Sequence, residues 1–125
     1  MSQKILLIED DKFLGALLVE HFQKSGLNFE LAVDGEEGLE KIHTNTPDLI
    51  ILDLVLPGID GYEVLKRLKN DKNFSKIPVI ILSNLGQKEE IERGLELGAK
   101  DFIVKAHFDL NRIVEKIDQV LKKKQ

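Results

Sequence analysis

Acidic, hydroxyl and amino side chains stand directly after short apolar runs in this chain. Glu9 and Asp10 follow the first run, and Asp53 ends the third. Ser83 follows the fourth run and Lys105 the fifth. If these runs are parallel strands, their carboxyl ends meet at one edge of a sheet, where ligands bind in such folds. The five side chains would then form one site with three carboxylates, a hydroxyl and an ammonium group.

Three carboxylates in one site need positive charge among them. At a separation of about 5 Å and an effective dielectric constant of about 20, each pair repels by roughly 3 kcal/mol. Oxygen ligands with no His or Cys nearby favour Mg²⁺, with Mn²⁺ as the alternative, bound through one or two carboxylates and water. Glu9, Asp10 and Asp53 would be neutralised by a divalent ion together with Lys105.

A carboxylate beside such an ion, opposite a hydroxyl and a lysine, is typical of phosphoryl transfer. The carboxylate of Asp53 could attack phosphorus, while the metal, Ser83 and Lys105 bind the three equatorial oxygens. Pro57 and Gly58 follow in a loop with a rigid turn, which would present this one carboxylate to the site. Taken alone, each of these residues would be an ordinary turn or surface residue, so the prediction rests on their combination.

The spacing of apolar residues predicts the strands that would position the site. Continuous runs at 5–8, 49–52 and 79–82 are typical of strands buried on both faces of a parallel sheet. A fifth short run lies at 102–104. At 28–33, alternation predicts an edge strand with Phe29, Leu31 and Val33 on the apolar face and Ala32 on the wetter face. Five alternating strand and helix units predict a doubly wound α/β domain with a five-stranded parallel sheet.

Helix-period segments lie between the strands. Their apolar stripes include Leu17 in the first helix and Leu95 in the fourth. The predicted N-caps are Asp11, Asp34, Asp60 and Asp109, and helices are expected to end at Gly26 and Gly98. Three glycines inside helical patterns each cost about 1 kcal/mol relative to Ala, and close packing is the only reason that the pattern offers for Gly15, Gly38 and Gly94.

Composition excludes several other classes of protein. The 125 residues suit one domain, so we expect a single domain over 1–125 without an output domain. The chain has no cysteine, which excludes disulfides, thiol catalysis and thiolate zinc sites. No apolar run approaches the roughly 20 residues that span a bilayer, so we expect a cytoplasmic protein without membrane partners. The net charge of −4 argues against a nucleic-acid partner.

Four motifs in this order resemble the receiver (response regulator) domain family of two-component signalling, of the single-domain chemotaxis-regulator type. The motifs are Ile-Glu-Asp-Asp at 8–11, Asp-Leu-Val-Leu-Pro-Gly-Ile-Asp-Gly at 53–61, Leu-Ser-Asn at 82–84 and Gly-Ala-Lys-Asp-Phe-Ile-Val-Lys at 98–105. The resemblance covers essentially the whole chain. It implies a flavodoxin-like (βα)5 fold with strand order 2-1-3-4-5.

The resemblance also implies a role for each site residue. Asp53 is the implied phosphoacceptor and a Mg²⁺ ligand, and Asp10 is a direct ligand. Glu9 would bind Mg²⁺ mainly through water, and Val55 would bind it through its backbone carbonyl. Ser83 and Lys105 are the implied hydroxyl and lysine of the reaction. Phe102 matches an aromatic switch position whose rotamer follows the Ser83 hydroxyl.

The implied function is a stand-alone regulator that takes a phosphoryl group from a sensor histidine kinase or phosphotransfer protein onto Asp53. It would catalyse its own phosphorylation and dephosphorylation rather than act as an enzyme on another substrate. The signal would leave through a downstream protein target that binds the face of the fourth helix, fifth strand and fifth helix. We expect a monomer, with dimerisation on phosphorylation left open.

Two other functions are alternatives to the phosphoacceptor function. A divergent receiver could act as a constitutive interaction module or as a phosphate sink. An aspartyl-nucleophile phosphatase is the weaker alternative, because Val55 stands where such enzymes carry a second acid. The sequence also has no glycine-rich P-loop.

The segment after Lys105 departs from the family pattern. The family usually follows its lysine with a cis proline, whereas Ala106 follows here and the segment is one residue longer. A cis bond without proline costs about 2.5–4 kcal/mol. We therefore predict a trans bond between Lys105 and Ala106, and a cis bond there in a crystal structure would contradict this.

Overall fold

A computed structural model describes residues 3–83, 88–105 and 109–123 of the chain, with backbone alone at 83 and 123. Strands and helices alternate throughout these ranges. In chain order they are β1 (Lys4–Ile8), α1 (Lys12–Lys24), β2 (Asn28–Ala32), α2 (Gly35–Thr44), β3 (Leu49–Asp53), α3 (Gly61–Lys69), β4 (Val79–Ser83), α4 (Lys88–Glu96), β5 (Asp101–Val104) and α5 (Leu110–Lys123).

The five strands form one parallel sheet in the order β2-β1-β3-β4-β5. This confirms the doubly wound α/β fold and the strand order. Asp53 at the end of β3 lies opposite Leu82 of β4, and Ser83 lies opposite Val104 of β5. The register therefore brings the carboxyl ends of three strands to the same level, where the sequence places the polar residues.

Each face of the sheet carries its own core. The first cluster joins β-strand residues to Ile42 of α2 and Val64 of α3. The second cluster joins the opposite strand faces to Phe22 of α1 and Ile117 of α5. β1, β3 and β4 are apolar on both faces because helices cover both sides, as their continuous apolar runs predict.

The alternation predicted for β2 is only partly correct. β2 lies at the edge of the sheet, as expected, and Phe29 is buried. Ala32, however, is fully buried in the cluster that contains Ile42, although the pattern placed it on the wetter face. Val33 lies beyond the end of the strand. The reason is that α2 also covers this end of β2, so the edge strand is covered on both faces.

Two residues assigned to apolar helix stripes are exposed. Leu17 is 45% exposed and Leu95 is 37% exposed, so the prediction that they belong to the core is wrong. The buried face of α1 follows Gly15, Leu18 and Phe22. Successive residues lie about 100° apart around a helix, and Leu17 therefore points away from the sheet.

The predicted N-caps are confirmed. The Oδ1 atoms of Asp11, Asp34 and Asp60 accept hydrogen bonds from the backbone N–H groups three residues later, at 3.0, 2.7 and 2.9 Å. Asp109 Oδ1 accepts from the N–H of Asn111 at 2.9 Å. Gly26 and Gly98 end helices with φ of +83° and +116°. These contacts satisfy orphan donors at the helix starts and fix where the loops around the site begin.

The three helical glycines allow helices to lie very close to the sheet. A Cβ atom on Gly15 would lie 2.9 Å from the side chain of Leu31, and one on Gly38 or Gly94 would overlap a β-strand isoleucine. At Gly94 the overlapping atom is Cδ1 of Ile81. Close packing therefore accounts for all three glycines.

Gly94→Ala is expected to destabilise the protein even though Ala favours helices by about 1 kcal/mol. The added methyl group overpacks against Ile81, which costs about 1–3 kcal/mol. Ile81→Val removes the clashing Cδ1 atom, so the double variant should lose less than the sum of the single losses. Urea unfolding of all three variants measures this coupling, and stabilisation by Gly94→Ala alone would contradict the packing argument.

Candidate functional site

An open cavity of about 410 Å³ lies at the carboxyl edge of the sheet. It is lined by Glu9, Asp10, Asp11, Leu14, Asp53, Val55 and Lys105. Glu9 and Asp10 follow β1, Asp53 ends β3 and Lys105 follows β5. The parallel strand order therefore brings together four of the five residues that the sequence assigned to the site. The fifth, Ser83, ends β4 opposite Val104, and its side chain lies outside the described part of the structure.

Lys105 joins the two buried carboxylates. Its Nζ donates a hydrogen bond to Asp53 Oδ2 at 2.9 Å and lies 2.6 Å from Glu9 Oε1. Glu9 is 0% exposed and Asp53 is 3% exposed. Lys105 itself is nearly buried, with 16% of its side chain exposed. A buried ion pair is stable only when the attraction between its charges, at good geometry, offsets the free-energy cost of removing them from water.

Burial and charge shift the protonation of these groups. Burial, reinforced by the neighbouring Asp53, raises the pKa of Glu9 to about 8 despite the opposing effect of Lys105. Burial lowers the pKa of Lys105, but the contacts with Glu9 and Asp53 outweigh it, so this pKa lies above its usual value. Lys105 therefore stays charged at neutral pH, and Glu9 binds a proton more readily than an exposed carboxylate does.

The loop after β3 aims the carboxylate of Asp53. Its Oδ1 accepts a hydrogen bond from the backbone N–H of Val55 at 3.0 Å, while Oδ2 faces Lys105. The loop then turns back, and the N–H of Gly61 donates to the carbonyl of Leu54 at 3.0 Å. A Cβ atom on Gly61 would lie 2.7 Å from the Cα of Leu54 and would overlap the carbonyl oxygen of Asp53.

Gly61 is thus a positioning residue that the sequence reading did not identify. In the sequence, the Asp-Gly pair at 60–61 indicates only a motif and a helix start. A glycine directly after an N-cap was the available signal, but its steric role depends on the loop folding back under Asp53.

The carboxylate cluster fits a divalent cation. Glu9, Asp10 and Asp53 each offer an oxygen atom, and the three atoms lie within 4.8 Å of one another. Lys105 is the one cation within ion-pair distance of these carboxylates among the described residues, so the cluster keeps an excess of negative charge. A set of carboxylate oxygens of this kind is suited to Mg²⁺ or Mn²⁺. Val55, predicted to supply a backbone carbonyl, lines the same cavity.

We expect Asp10→Asn to weaken Mg²⁺ binding by about tenfold or more, because Asp10 is an accessible carboxylate in the cluster. Asp11→Asn is the matched control, since Asn preserves the helix cap and Asp11 is outside the three-carboxylate cluster. Calorimetric titration with MgCl₂ separates the two variants. Equal losses in both would show that general negative charge, and not a ligand at Asp10, binds the ion.

Phe102 lies on the edge strand β5 and is half-buried against the first core cluster. Nζ of Lys116 on α5 lies 5.5 Å from the centre of its ring. Its predicted switch role stays a prediction. The predicted trans bond also stays one, because Ala106 lies outside the described residues.

Comparison with solved structures supports this class of site and fold. The receiver domain of the Francisella response regulator 1452 superposes with a TM-score of 0.90 at 32% identity, covering 99% of this chain and 100% of that one. The chemotaxis response regulator CheY4 of Vibrio cholerae gives a TM-score of 0.89 at 25% identity, covering 96% and 99% of the two chains. The open parallel sheet with acidic groups at its carboxyl edge is therefore a receiver-type fold.

The sequence comparison identifies the family. The model of the response regulator receiver domain matches residues 5–118, and the chain belongs to that family. The alkaline phosphatase synthesis transcriptional regulatory protein PhoP of Bacillus subtilis (strain 168) is 35% identical over 100% of this chain and 51% of its own length. The phosphate regulon transcriptional regulatory protein PhoB of Rhizobium meliloti (strain 1021) is 32% identical over 98% of this chain and 54% of its length.

The chain thus spans about half the length of these two regulators. The single-domain organisation and the stand-alone role stay predictions. Among the described residues, no helix is long and apolar enough to cross a membrane.

Proposed function

We propose that this receiver accepts a phosphoryl group on Asp53 from a phosphohistidine of a sensor kinase or phosphotransfer protein, in a Mg²⁺-dependent reaction. The observation that carries the proposal is the position of Lys105 Nζ, 2.9 Å from Asp53 Oδ2 and 2.6 Å from Glu9 Oε1. A cation that bridges a candidate nucleophile and a candidate metal ligand is placed to bind oxygens of a phosphoryl group between them.

The reaction forms one bond and breaks one bond. A carboxylate oxygen of Asp53 attacks phosphorus, and the bond between phosphorus and the donor nitrogen breaks, with its electron pair and a proton going to the imidazole. The product is an acyl phosphate. Lys105 binds charge on the equatorial oxygens, and Glu9 and Asp10 would hold the divalent ion. When bound, the ion would neutralise charge that builds up on those oxygens.

The protein itself supplies these catalytic groups, so we infer that it promotes its own phosphorylation and the later hydrolysis. Phosphorylation changes the charge on Asp53 from −1 to about −2. This change strengthens the attraction for Lys105, and the Ser83 hydroxyl is proposed as a further partner. The proposed output is an altered protein-binding surface on α4, β5 and α5.

The experiment uses small phosphodonors, because the cognate kinase is not needed for the chemistry. The protein is incubated with phosphoramidate or acetyl phosphate and Mg²⁺, and its intact mass is measured over time. We expect an increase of one phosphoryl group that requires Mg²⁺ and does not form when EDTA is present from the start. No increase with either donor would support the alternative of a constitutive interaction module and overturn the phosphoacceptor proposal.

A further inference from the structure

Helix α4 has few anchors in the core. Of residues 88–96, only Ile91 and Gly94 are buried, and Gly94 is the point of close approach to Ile81 of β4. The remaining side chains of α4 are exposed, including Leu95. Contacts from outside the core therefore contribute much of what determines the position of α4.

Tyr62 of α3 provides such contacts. Its hydroxyl donates a hydrogen bond to the backbone carbonyl of Glu90 at 3.1 Å. The guanidinium carbon of Arg93 lies 4.0 Å from the centre of the Tyr62 ring, within the range of a cation–π interaction. We call these two contacts, from Tyr62 to Glu90 and to Arg93, the Tyr62 clamp. Burial raises the pKa of Tyr62, which keeps its hydroxyl protonated as a donor.

Tyr62 directly follows Gly61, which contacts the backbone of Asp53 and Leu54. Gly61 donates from its N–H to Leu54, and it has no space for a Cβ atom against the carbonyl oxygen of Asp53. A displacement of the loop at Asp53 would therefore reach the first turn of α3. Tyr62 belongs to that turn, so such a displacement would change how its side chain meets α4.

We propose that the Tyr62 clamp couples the charge on Asp53 to the position of α4, closed while Asp53 is a carboxylate and open when Asp53 carries a phosphoryl group. This inference rests on the proposed function and names a route by which the site regulates α4. The route runs through packed backbone and one side chain, from Asp53 through Gly61 and Tyr62 to α4.

Thermodynamic linkage predicts the direction in which loss of the clamp changes the affinity for a phosphoryl mimic. Contacts present only in the unmodified state oppose the modified state, so removing them favours binding of a phosphoryl mimic at Asp53. A cation–π contact at a partly exposed site is worth enough to change affinity by about two- to fivefold. Arg93→Met should therefore tighten binding of beryllofluoride, in the presence of Mg²⁺, by about that factor. Tyr62→Phe loses the hydrogen bond to Glu90 and should tighten binding by about two- to tenfold.

The composition of the chain offers a direct probe. Tyr62 is the only tyrosine and there is no tryptophan, so ultraviolet-excited emission near 300 nm reports on the clamp alone. We expect beryllofluoride with Mg²⁺ to change this emission in the wild type and not in Asp53→Asn. Calorimetry that detects beryllofluoride binding to the wild type without a change in Tyr62 emission would overturn the coupling.

Two variants and a control complete the test. Tyr62→Phe removes the hydrogen bond and keeps the ring, whereas Arg93→Met removes the cation. Arg67→Met is the control, because Arg67 pairs with Glu63 on α3 itself. The clamp variants should bind beryllofluoride more tightly than the wild type, and their hydrogen exchange in 88–96 should be faster before beryllofluoride is added.

Two outcomes distinguish failure of the proposed function from failure of the Tyr62 coupling. Failure of the wild type to bind beryllofluoride by calorimetry would overturn the proposed function. If the wild type binds it, and Tyr62→Phe and Arg93→Met bind it with the same affinity as Arg67→Met, the clamp is only structural and the coupling proposal is wrong.

Discussion

Asp53→Asn is expected to abolish phosphorylation by phosphoramidate and acetyl phosphate. The amide has nearly the same shape as the carboxylate, and its oxygen can still accept the hydrogen bond that Val55 donates to Oδ1. It is a very poor nucleophile toward phosphorus, so the covalent step should fail while the loop keeps its position. Intact-mass measurements over time should show no phosphoryl adduct on this variant.

Asp60→Asn is the matched control for this experiment. Asp60 lies in the same loop and caps α3 by accepting from the N–H of Glu63 at 2.9 Å. Asn is an equally good cap, so this variant should be phosphorylated at close to the wild-type rate. Phosphorylation of Asp53→Asn at that rate would mean that a different side chain is the acceptor.

Lys105→Met is expected to slow phosphorylation by about 100- to 1000-fold, the usual effect of removing a preorganised group that stabilises transition-state charge. The methionine fills similar space but contributes no cation near Asp53 Oδ2. Rates with phosphoramidate at saturating Mg²⁺ measure the loss. Lys100→Met is the control, because Lys100 directly precedes β5 at its other end, where its N–H pairs with the carbonyl of Val79.

The same substitution should also lower stability. Removing one partner of a buried ion pair costs about 3–5 kcal/mol when the remaining charge stays buried and unpaired. Glu9 escapes part of this cost by binding a proton, because its pKa is already about 8 with the lysine present. We therefore expect a loss near the lower end of that range at neutral pH, measured by urea unfolding.

Adding Glu9→Gln to Lys105→Met should recover part of the stability, since the neutral amide needs no counter-charge. It should not recover the phosphorylation rate. Recovery of the rate by the double variant would show that Lys105 acts only by holding Glu9 and does not act on the phosphoryl group.

Much of the site could be predicted because each residue is adjacent to a strand that the sequence reveals. Continuous apolar runs mark buried parallel strands, and in such a sheet all carboxyl ends lie at one edge. Asp53 and Lys105 are 52 positions apart in the chain, yet this rule places both of them at the same edge of the sheet. The helix caps could be predicted for the same reason, since a cap depends on residues within three positions.

Other features depend on distances between elements, which the pattern of residue types does not contain. Periodicity placed Leu95 toward the core, whereas α4 turns this side chain toward solvent and buries Gly94 against Ile81. Ala32 has a small apolar side chain that fits either the buried or the exposed face of a strand. Its burial depends on how α2 covers the end of β2.

The amino-acid sequence therefore determined the alternation of strands and helices and the residues at the carboxyl edge, because these follow from local pattern. Its motifs indicated the family, and the strand order was implied by that resemblance. The tertiary structure alone decided the contact of Lys105 with both Glu9 and Asp53, the steric need for Gly61 and the meeting of Tyr62 with Arg93. These are contacts between side chains and backbone of different elements, and their energies depend on separations of a few ångströms that no spacing along the chain specifies.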